Sequence, residues 1–336
     1  MRKEAKWGWA IALLAVAELL AAVFSLSTGE IRIPLGELLS KLSQPETAEY
    51  GVLVYIRLPR TLLALAVGGG LSLSGAILQG IYRNPLVEPY TLGISGGASL
   101  GVTMAIVLGW SAFSLFTLPV AGFVGALVTI FMVYALSLKK GYLSVSRMLL
   151  IGVMVSFVSS SMIMLLMSVT RVEELGEIIF WMMGSLAEPE LSLVFTMTGL
   201  SLLGLLVSYL FTPDLNALRL GETKARHLGM NTERVTRILF VLTSVLTGAC
   251  ISVAGIIGFV GLVIPHAVRL LLGNDYRILL GASFLLGGAF LTLCDIAART
   301  VIAPVELPIG VITGLVGGAA FILILSGSKK RSAFFK

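Results

Sequence analysis

The segment from Arg57 to Gly101 constrains the fold of this chain more than any other part of the sequence. It begins with the letters RLPR, continues through about twenty apolar residues, and ends in RNPLVEP followed by a glycine-rich run. An apolar helix of roughly 20 residues can cross the hydrocarbon core of a bilayer. Pro85 and Pro89 disfavour helix in the residues before them and so predict a loop. The segment is therefore predicted to form a membrane helix, a shaped turn and a second membrane helix.

The rest of the sequence has the same apolar character. The chain of 336 residues is 57% hydrophobic and 12% charged, and its mean hydropathy of +0.99 lies outside the range of soluble globular proteins. We predict one all-α, polytopic membrane domain over residues 1–336, with an outer loop at about 29–59 and an inner loop at about 212–235. About ten spans are expected, at 7–28, 61–82, 92–110, 115–138, 147–169, 191–212, 236–254, 256–272, 278–298 and 308–327.

The N-terminal segment admits two interpretations. It combines a basic start with an apolar run, as a secretory signal does. This run is longer than about 15 residues, the usual upper length of a signal core. Because further apolar spans follow, we expect an uncleaved first helix.

The distribution of charge predicts the orientation of the chain. If the N-terminus is cytoplasmic, most of the 24 lysine and arginine residues fall on the inner side, as the positive-inside rule requires, and both termini are cytoplasmic. The basic residues that remain on the outer side are Arg32, Lys41, Arg57, Arg60, Arg171 and Arg299. The net charge of +6 is thus explained by topology, and nucleic acid is not needed as a partner.

Glycine is patterned in two of the predicted spans. It recurs at every fourth residue, at positions 93, 97 and 101 and again at 310, 314 and 318. Small residues on one helix face let two backbones approach closely. The series fit an interface that slides during a transport cycle, and they fit static close packing equally well.

A short internal repeat is also visible. Arg60 precedes the letters LVEP at 86–89 by almost the same spacing as Arg237 precedes LVIP at 262–265. The two predicted helices run in opposite directions, as the halves of an inverted repeat do in many transporters. The match is short, so both an inverted repeat and chance remain explanations.

No group suited to catalysis is evident in the sequence. It contains no GxxxxGK[ST] loop for nucleotide phosphates, and His227 and His266 lack carboxylate or thiol neighbours at metal-ligand spacing. Glu18 and Asp295 are the carboxylates expected near the middle of a span, and neither has an obvious buried partner. We expect no catalytic residue, no metal site and no cofactor in this chain.

The inner loop is the second informative region. Asp214 follows a proline and is expected to cap a short helix with an apolar face. Gly221 is expected to end that helix, and Gly229 to end a second one over 223–228. Two short exposed helices fit a docking element for a cytoplasmic partner, and they also fit a structured connector.

Four separated motifs resemble a known family. They are R-x-P-R followed by R-N-P-L-x-E-P-x-x-L-G, then L-N-x-L-x-L-G-x-x-x-A-x-x-L-G, then G-x-x-G-F-V-G-L-V-x-P-H-x-x-R, and finally E-L-P-I-G-x-x-T-G. Over about residues 30–325 the chain is similar to the ABC-importer permeases for iron siderophores, haem and cobalamin. The resemblance implies a cobalamin-importer-permease-like fold in a bacterial or archaeal cytoplasmic (inner) membrane.

The resemblance also implies partners. They are a second permease subunit, expected to be an identical copy in a homodimer, two ATPase subunits that bind ATP and Mg²⁺, and a substrate-binding protein that is periplasmic or lipid-anchored. The substrate is then a metal chelate, which is a siderophore complex, haem or cobalamin.

Roles for particular residues follow from the same resemblance. Binding-protein docking is expected at Arg57, Arg60 and Arg299. ATPase coupling is expected at Leu215, Asn216, Leu218, Leu220, Gly221, Ala225, Leu228 and Gly229. A cytoplasmic gate is expected at Asn84, Leu86, Val145 and Ser146, although family members often carry a hydroxyl residue in place of Val145. The pathway lining is expected at Ser156, Ser159, Ser160 and Met164, and a half-helix near the outer mouth at 173–186.

Two other classes of protein fit the sequence less well. A secondary carrier driven by an ion gradient is disfavoured by the scarcity of buried carboxylates and by the exposed inner loop. A membrane-embedded enzyme is disfavoured because no catalytic group is evident. We therefore expect a permease subunit that is not itself an enzyme and is powered by a separate ATPase.

Overall fold

The computed structural model describes residues 2–29, 31–139, 142–143, 145–187 and 190–327. Over these ranges the chain is almost entirely helical, and strands β1 (Leu138–Lys139) and β2 (Tyr142–Leu143) form a short antiparallel pair. The α-helices are α1 (Arg2–Ser27), α2 (Leu38–Leu42), α3 (Ala48–Gly51), α4 (Leu58–Tyr82), α5 (Ile94–Val107), α6 (Thr117–Ser137), α7 (Val145–Val169), α8 (Val172–Met183), α9 (Leu191–Leu210), α10 (Thr212–Leu218), α11 (Glu222–His227), α12 (Thr232–Ala254), α13 (Val260–Leu272), α14 (Tyr276–Thr300) and α15 (Ile309–Gly327). Single 3₁₀ turns at Leu35–Glu37, Pro89–Leu92 and Trp110–Ala112 and a π-helical turn at Val52–Arg57 complete them.

The helices match the predicted spans in position but not all in length. Within the described residues, seven helices are long and apolar enough to cross a membrane, and α5, α13 and the apolar part of α15 are shorter. Helix α5 has 14 residues, so it extends about 21 Å against a hydrocarbon core of about 30 Å. The all-α polytopic fold is confirmed, whereas ten full-length spans are not.

Helix α4 lies at the centre of the bundle. In an 18-residue window of the span Ala48–Ile81, 89% of the residues are buried, compared with 11% in α1 and 22% in α7. A helix that is apolar on all sides is stable only where other apolar groups surround it. Helices α14, α12, α9 and α13 cover α4, while α1 and α7 keep broad apolar faces uncovered by the described chain.

Small residues bring α4 and α14 into direct backbone contact. A Cβ atom at Gly68 would overlap the carbonyl oxygen of Gly287. One turn further along α4, the Ser72 hydroxyl donates to the carbonyl oxygen of Ser283 at 2.7 Å. Since no hydrophobic force drives helices together inside a membrane, such close contacts hold the two antiparallel helices to each other.

The two glycine series behave differently. Gly97 and Gly101 lie against α6, where an added Cβ would overlap Thr129 and a backbone oxygen. In α15, Gly310 lies against backbone oxygens, but an added Cβ at Gly314 would meet no atom within 4 Å. The predicted close approach of helices is therefore present at both Gly97 and Gly101 of the first series. In the second series it is present at Gly310 but not at Gly314.

Helices α4 and α12, which carry the two copies of the suggested repeat, run antiparallel. The Ser74 hydroxyl donates to the carbonyl oxygen of Thr243 at 3.4 Å, and the Cys250 thiol lies 3.8 Å from the carbonyl oxygen of Val67. This relative direction is the one that an inverted repeat requires. The repeat itself stays a prediction.

The loop after α9 forms two short helices, as expected, but the first begins earlier than predicted. Helix α10 starts at Thr212 with Phe211 in the cap position, so Asp214 lies in the first turn and is not the cap. Pro213 suits a first turn because no partner is needed there for a backbone N–H. An acidic residue in this turn is still favourable beside the positive end of the helix dipole.

Glycines flank the second short helix, α11. Gly221 has φ 106° and Gly229 has φ 85°, left-handed values that residues with a Cβ rarely adopt. The predicted helix break and helix end are therefore both present. We name residues 212–229, which comprise α10 and α11, the knob.

Helix α8 is the half-helix expected at 173–186. The backbone N–H of Ser185, just after α8, donates to the carbonyl oxygen of Ala254 at the end of α12 at 3.0 Å. The N–H of Ile309 at the start of α15 donates to Gly184 at 3.2 Å. Because α12 starts next to the knob, its far end and α8 lie on the side of the bundle away from the knob.

Candidate functional site

Four charged side chains meet at the end of α4 and α14 that is remote from the knob. Arg60 Nε donates to Asp295 Oδ1 at 2.9 Å, and its Nη1 donates to both carboxylate oxygens of Glu306 at 3.0 and 2.9 Å. Arg299 Nε lies 3.4 Å from Asp295 Oδ2. Arg60, Asp295 and Arg299 are buried, whereas the Glu306 side chain is 45% exposed. We name these four residues the charge cluster.

The charge cluster also holds α1 and the turn that follows it. Arg299 Nη2 donates to the backbone oxygen of Ser25 at 2.9 Å and to its hydroxyl at 2.6 Å. Beside the cluster, Arg57 donates to the carbonyl oxygen of Leu26 at 2.7 Å and to that of Ile31. Two arginines, one from α14 and one from the turn before α4, therefore fix the end of α1.

Two expectations about these residues need correction. Asp295 was expected to lack a buried partner, yet Arg60 and Arg299 both lie beside it. The predicted docking arginines, Arg57, Arg60 and Arg299, were expected on an exposed rim, yet they are 4%, 6% and 7% exposed. The turn after α1 and the side chain of Glu306 cover them. Their docking role stays a prediction.

A cavity of about 1010 Å³ opens beside the charge cluster. It lies between the end of α1, the turn after it and the end of α14, and Arg299 forms part of its wall. The other wall residues are Phe24, Ser27, Thr28, Gly29, Arg32, Ile33, Pro34, Leu35, Ile296, Thr300, Ala303 and Pro304. A partner at this end of the bundle has a recess through which to approach a buried arginine.

The predicted ATPase-coupling residues divide into two groups. Leu215, Leu218 and Ala225 are buried and attach the knob to the bundle. Leu220 and Leu228 are 57% and 67% exposed, and the flanking glycines at 221 and 229 shape the backbone between them. The exposed pair can contact a partner directly, whereas the buried group supports the knob from behind.

Asn216 belongs to neither group, because its side chain points at α14. Its Nδ2 donates to Asp275 Oδ1 at 3.0 Å, and its Oδ1 accepts the backbone N–H of Tyr276 at 3.2 Å. The amide therefore joins the knob to the first residues of α14.

A second cavity, of about 330 Å³, lies between the knob, the end of α4 and the start of α7. Its wall consists of Ile81, Tyr82, Arg83, Val145, Ser146, Leu218, Glu222, Arg226, Thr232, Glu233 and Thr236. Two predicted gate residues, Val145 and Ser146, therefore share this cavity with Leu218 of the knob. The other two, Asn84 and Leu86, lie in the adjacent turn, where Asn84 Oδ1 accepts the backbone N–H of Leu86 at 2.9 Å.

Glu88, in the turn after α4, is not a surface charge. Burial raises the pKa of its carboxyl above the ordinary value, and a hydrogen bond with the backbone of Phe259 opposes this shift. Its neighbour Tyr90 donates its hydroxyl to the carbonyl oxygen of Ile257 at 2.7 Å. This turn is therefore anchored to the segment that precedes α13.

The predicted pathway residues on α7 do not share one open face. Ser159 is buried, and both Ser156 and Ser159 pack against Gly96 of α5. Met164 is 70% exposed, and Ser160 is exposed as well. In this structure Ser160 and Met164 face open space, whereas Ser159 packs between α5 and α7. The pathway role of these residues stays a prediction.

Sequence interpretation missed several residues of these sites. Glu306 begins the quoted motif E-L-P-I-G, so the motif itself offered a signal for it. Asp275 caps α14, Tyr276 is its first residue, and Ser25 lies in the last turn of α1; no such signal marks these three. Their contacts join residues far apart in the chain, which a single sequence does not reveal.

Comparisons with known proteins agree on one family. The profile of the FecCD transport family matches residues 16–327. The chain is 37% identical to the hemin transport system permease protein HmuU of Yersinia pestis, over 85% of this chain and 86% of that protein. It is 38% identical to the vitamin B12 import system permease protein BtuC of Klebsiella pneumoniae, over 98% of this chain and 96% of that protein.

A solved structure supports the same relationship. It is an inward-facing structure described as a metal-chelate type ABC transporter, and it superposes with a TM-score of 0.84 at 32% identity, covering 95% of this chain and 99% of that chain. The charge cluster, the knob and α7 all lie within the residues that the family profile matches. The chain therefore belongs to the FecCD transport family.

Proposed function

We propose that this chain is the transmembrane permease subunit of an ABC importer that moves an iron chelate, haem or cobalamin into the cytoplasm. The observation that carries the proposal is an apolar bundle with a different polar site at each end of α4. Helix α4 has 25 residues and extends about 38 Å, from the buried charge cluster at one end to the knob at the other. Relatives named for hemin transport and vitamin B12 import support this class of substrate.

The charge cluster is proposed as the docking site for the substrate-binding protein. Together with Arg57 it contains three arginines and two carboxylates, so it has one positive charge in excess among the described residues. Arginine pairs with carboxylates through two parallel hydrogen bonds. Glu306 is the exposed member, so a carboxylate of the binding protein reaches Arg60 by displacing Glu306.

The exposed part of the knob is proposed as the contact with an ATPase subunit, which binds ATP and Mg²⁺ itself. Leu220 and Leu228 present apolar side chains to solvent, and the buried core of a protein interface is more apolar than the rest of the protein surface. The cavity behind the knob also contains Val145 and Ser146. A movement of the knob would therefore change the surroundings of the proposed gate.

A second copy of the chain is proposed to complete the pathway. Helix α7 has 22% of an 18-residue window buried, which leaves an apolar face with Ser160 and Met164 open. Two such faces opposite each other form a wide, weakly polar passage suited to a large chelate. The assembly then has two permease subunits, two ATPase subunits and one binding protein.

The orientation proposed for this assembly follows from charge. With the knob and both termini in the cytoplasm, the basic residues of the knob lie on the inner side, as the positive-inside rule requires. The charge cluster then faces the outer side of the cytoplasmic membrane, where a binding protein delivers its ligand.

Uptake in cells tests the proposed function. A host without its own importers for these substrates is given the chain with its ATPase and its binding protein, and is then offered a ferric siderophore, haem and cobalamin. We expect accumulation of at least one of them, and no accumulation when the ATPase is replaced by a variant unable to hydrolyse ATP. Uptake that persists with this variant would favour a carrier driven by an ion gradient.

A further inference from the structure

We infer that Asn216, Asp275 and Tyr276 form a latch that makes α14 and α4 follow the movement of the knob. The inference rests on the proposed function, and it assigns Asn216 a positioning role inside the subunit in place of a contact with the ATPase. Asn216 lies on α10, whereas Asp275 and Tyr276 form the beginning of α14.

The first part of the latch is a two-point contact by one amide group. Asn216 donates to Asp275 Oδ1 at 3.0 Å and accepts from the backbone N–H of Tyr276 at 3.2 Å. Asp275 is the N-cap of α14, and the same Oδ1 accepts the N–H of Arg277 at 3.1 Å. The knob is thus bound to the cap of the helix, where a displacement acts on the whole helix axis.

The second part continues from α14 into α4. Tyr276 is 1% exposed, and its hydroxyl donates to the carbonyl oxygen of Ala76 at 3.1 Å. Arg269 of α13 donates to the same oxygen at 3.4 Å and to the side chain of Gln79. Gln79 in turn donates to the backbone of Gly261 at 3.1 Å. The hydrogen bonds therefore run from the knob through α14 to α4 and α13.

The position of this chain of bonds gives it a function. Residue 76 lies two turns before the end of α4, and the turn after α4 contains the proposed gate residues Asn84 and Leu86. When the ATPase displaces the knob through the exposed Leu220 or Leu228, the displacement reaches α14 through Asn216, whose side chain faces α14. Contiguous hydrogen bonds and rigid helices can carry such coupling between distant sites.

A single substitution breaks the latch with little change in shape. Asn216→Asp replaces the donor by a second carboxylate facing Asp275, and two like charges repel each other. In the assembled importer we expect the ATPase to copurify and basal ATP hydrolysis to persist, while substrate transported per ATP falls by about tenfold, a typical coupling effect. Asn231→Asp is the matched control. It makes the same change from amide to carboxylate outside the latch, and its side-chain oxygen still accepts the backbone N–H of Arg234.

Exchanging the two side chains distinguishes a latch from an ATPase contact. In the double variant Asn216→Asp/Asp275→Asn, the amide and the carboxylate trade places. With the nitrogen of the new amide directed at α10, the carboxylate there accepts from it and from the N–H of Tyr276. The cap on Arg277, which the same Oδ1 of Asp275 makes in the unmodified chain, is given up. We expect transport per ATP to recover to at least about half of the unmodified level. A direct contact between Asn216 and the ATPase would not be repaired from position 275.

A covalent link tests the same claim if Asn216→Asp prevents assembly. Cysteines placed at 216 and 275 are joined by oxidation or by a short bifunctional thiol reagent. We expect low transport per ATP in the reduced form and recovery in the linked form, because a latch that moves as one piece tolerates a rigid connection. The inference is wrong if the link abolishes transport, if the exchanged pair is no better than Asn216→Asp alone, or if Asn216→Asp transports normally.

These outcomes are separable from failure of the proposed function. If the unmodified complex does not transport substrate with ATP, or if no ATPase copurifies with it, the function is wrong. If the unmodified complex transports and the exchanged pair does not recover, the function stands and the latch is wrong.

Discussion

At the scale of single residues, Asp295 allows arginines to be buried in an apolar bundle. A buried charge is tolerated when it is paired and hydrogen-bonded, and it is strongly destabilising when it is not. Arg60 and Arg299 approach the two oxygens of Asp295 at 2.9 and 3.4 Å. Substituting either arginine would therefore disturb the fold as well as docking, so these arginines are unsuited to a docking assay.

Asp295→Asn tests the structural part of this explanation. The substitution leaves two buried cations without their shared carboxylate, and breaking a buried pair in this way typically reduces stability by about 3–5 kcal/mol. We expect a clear loss of thermal stability in detergent. Glu306→Gln is the control, because that side chain is 45% exposed and Arg60 keeps its buried hydrogen bond to Asp295. We expect it to lose less stability than Asp295→Asn. Equal stability of the two variants would contradict the account of the cluster.

Glu306→Gln also tests the docking role. With its exposed carboxylate removed, Arg60 is free to pair with an acidic residue of the binding protein. Because the binding protein then no longer has to displace Glu306, we expect its affinity to rise severalfold, as measured by surface plasmon resonance on the importer in nanodiscs. A fall in affinity would show that Glu306 itself contacts the partner, or that docking occurs elsewhere.

At the scale of elements, the knob depends on the bundle for its shape. Helices α10 and α11 have 7 and 6 residues, and helices shorter than about 12 residues are marginal in water without tertiary contacts. Leu215, Leu218 and Ala225 supply those contacts from the buried side. The bundle therefore holds the knob in its folded shape, and the exposed leucines of the knob remain available to a partner.

Replacing the exposed leucines tests the ATPase contact. The double variant Leu220→Asp/Leu228→Asp introduces charge into the proposed apolar interface while the buried side of the knob is unchanged. We expect the permease to fold normally and to lose copurification of the ATPase. Leu39→Asp, at an 80% exposed leucine of the loop after α1, is the matched control and should copurify as before. Retained copurification in the double variant would place the contact elsewhere.

At the scale of the whole molecule, the apolar runs predicted the helices well because lipid and core both require apolar side chains. Pro213, Gly221 and Gly229 predicted the knob because their backbone preferences act locally. The charge cluster could not be predicted in this way. Arg60 and Asp295 are separated by 235 positions, and their pairing depends on how α4 and α14 meet.

The burial of particular side chains could not be predicted from the sequence pattern either. An arginine next to an apolar run is expected at the membrane boundary. This sequence pattern does not distinguish an arginine exposed to water from one covered by other parts of the chain. Arg57 is covered because the turn after α1 folds over it. Likewise, the serines of α7 read as one polar lining, but helix geometry turns Ser159 towards α5 and Ser160 towards open space.

Uphill transport in proteoliposomes decides whether this permease depends on a separate ATPase. The permease is reconstituted with and without its ATPase, and ATP inside, a proton gradient or a sodium gradient is applied in turn, with binding protein and substrate outside. We expect accumulation with ATP when the ATPase is present, and no accumulation under any gradient when the ATPase is absent. Sustained accumulation by the permease alone would contradict this expectation.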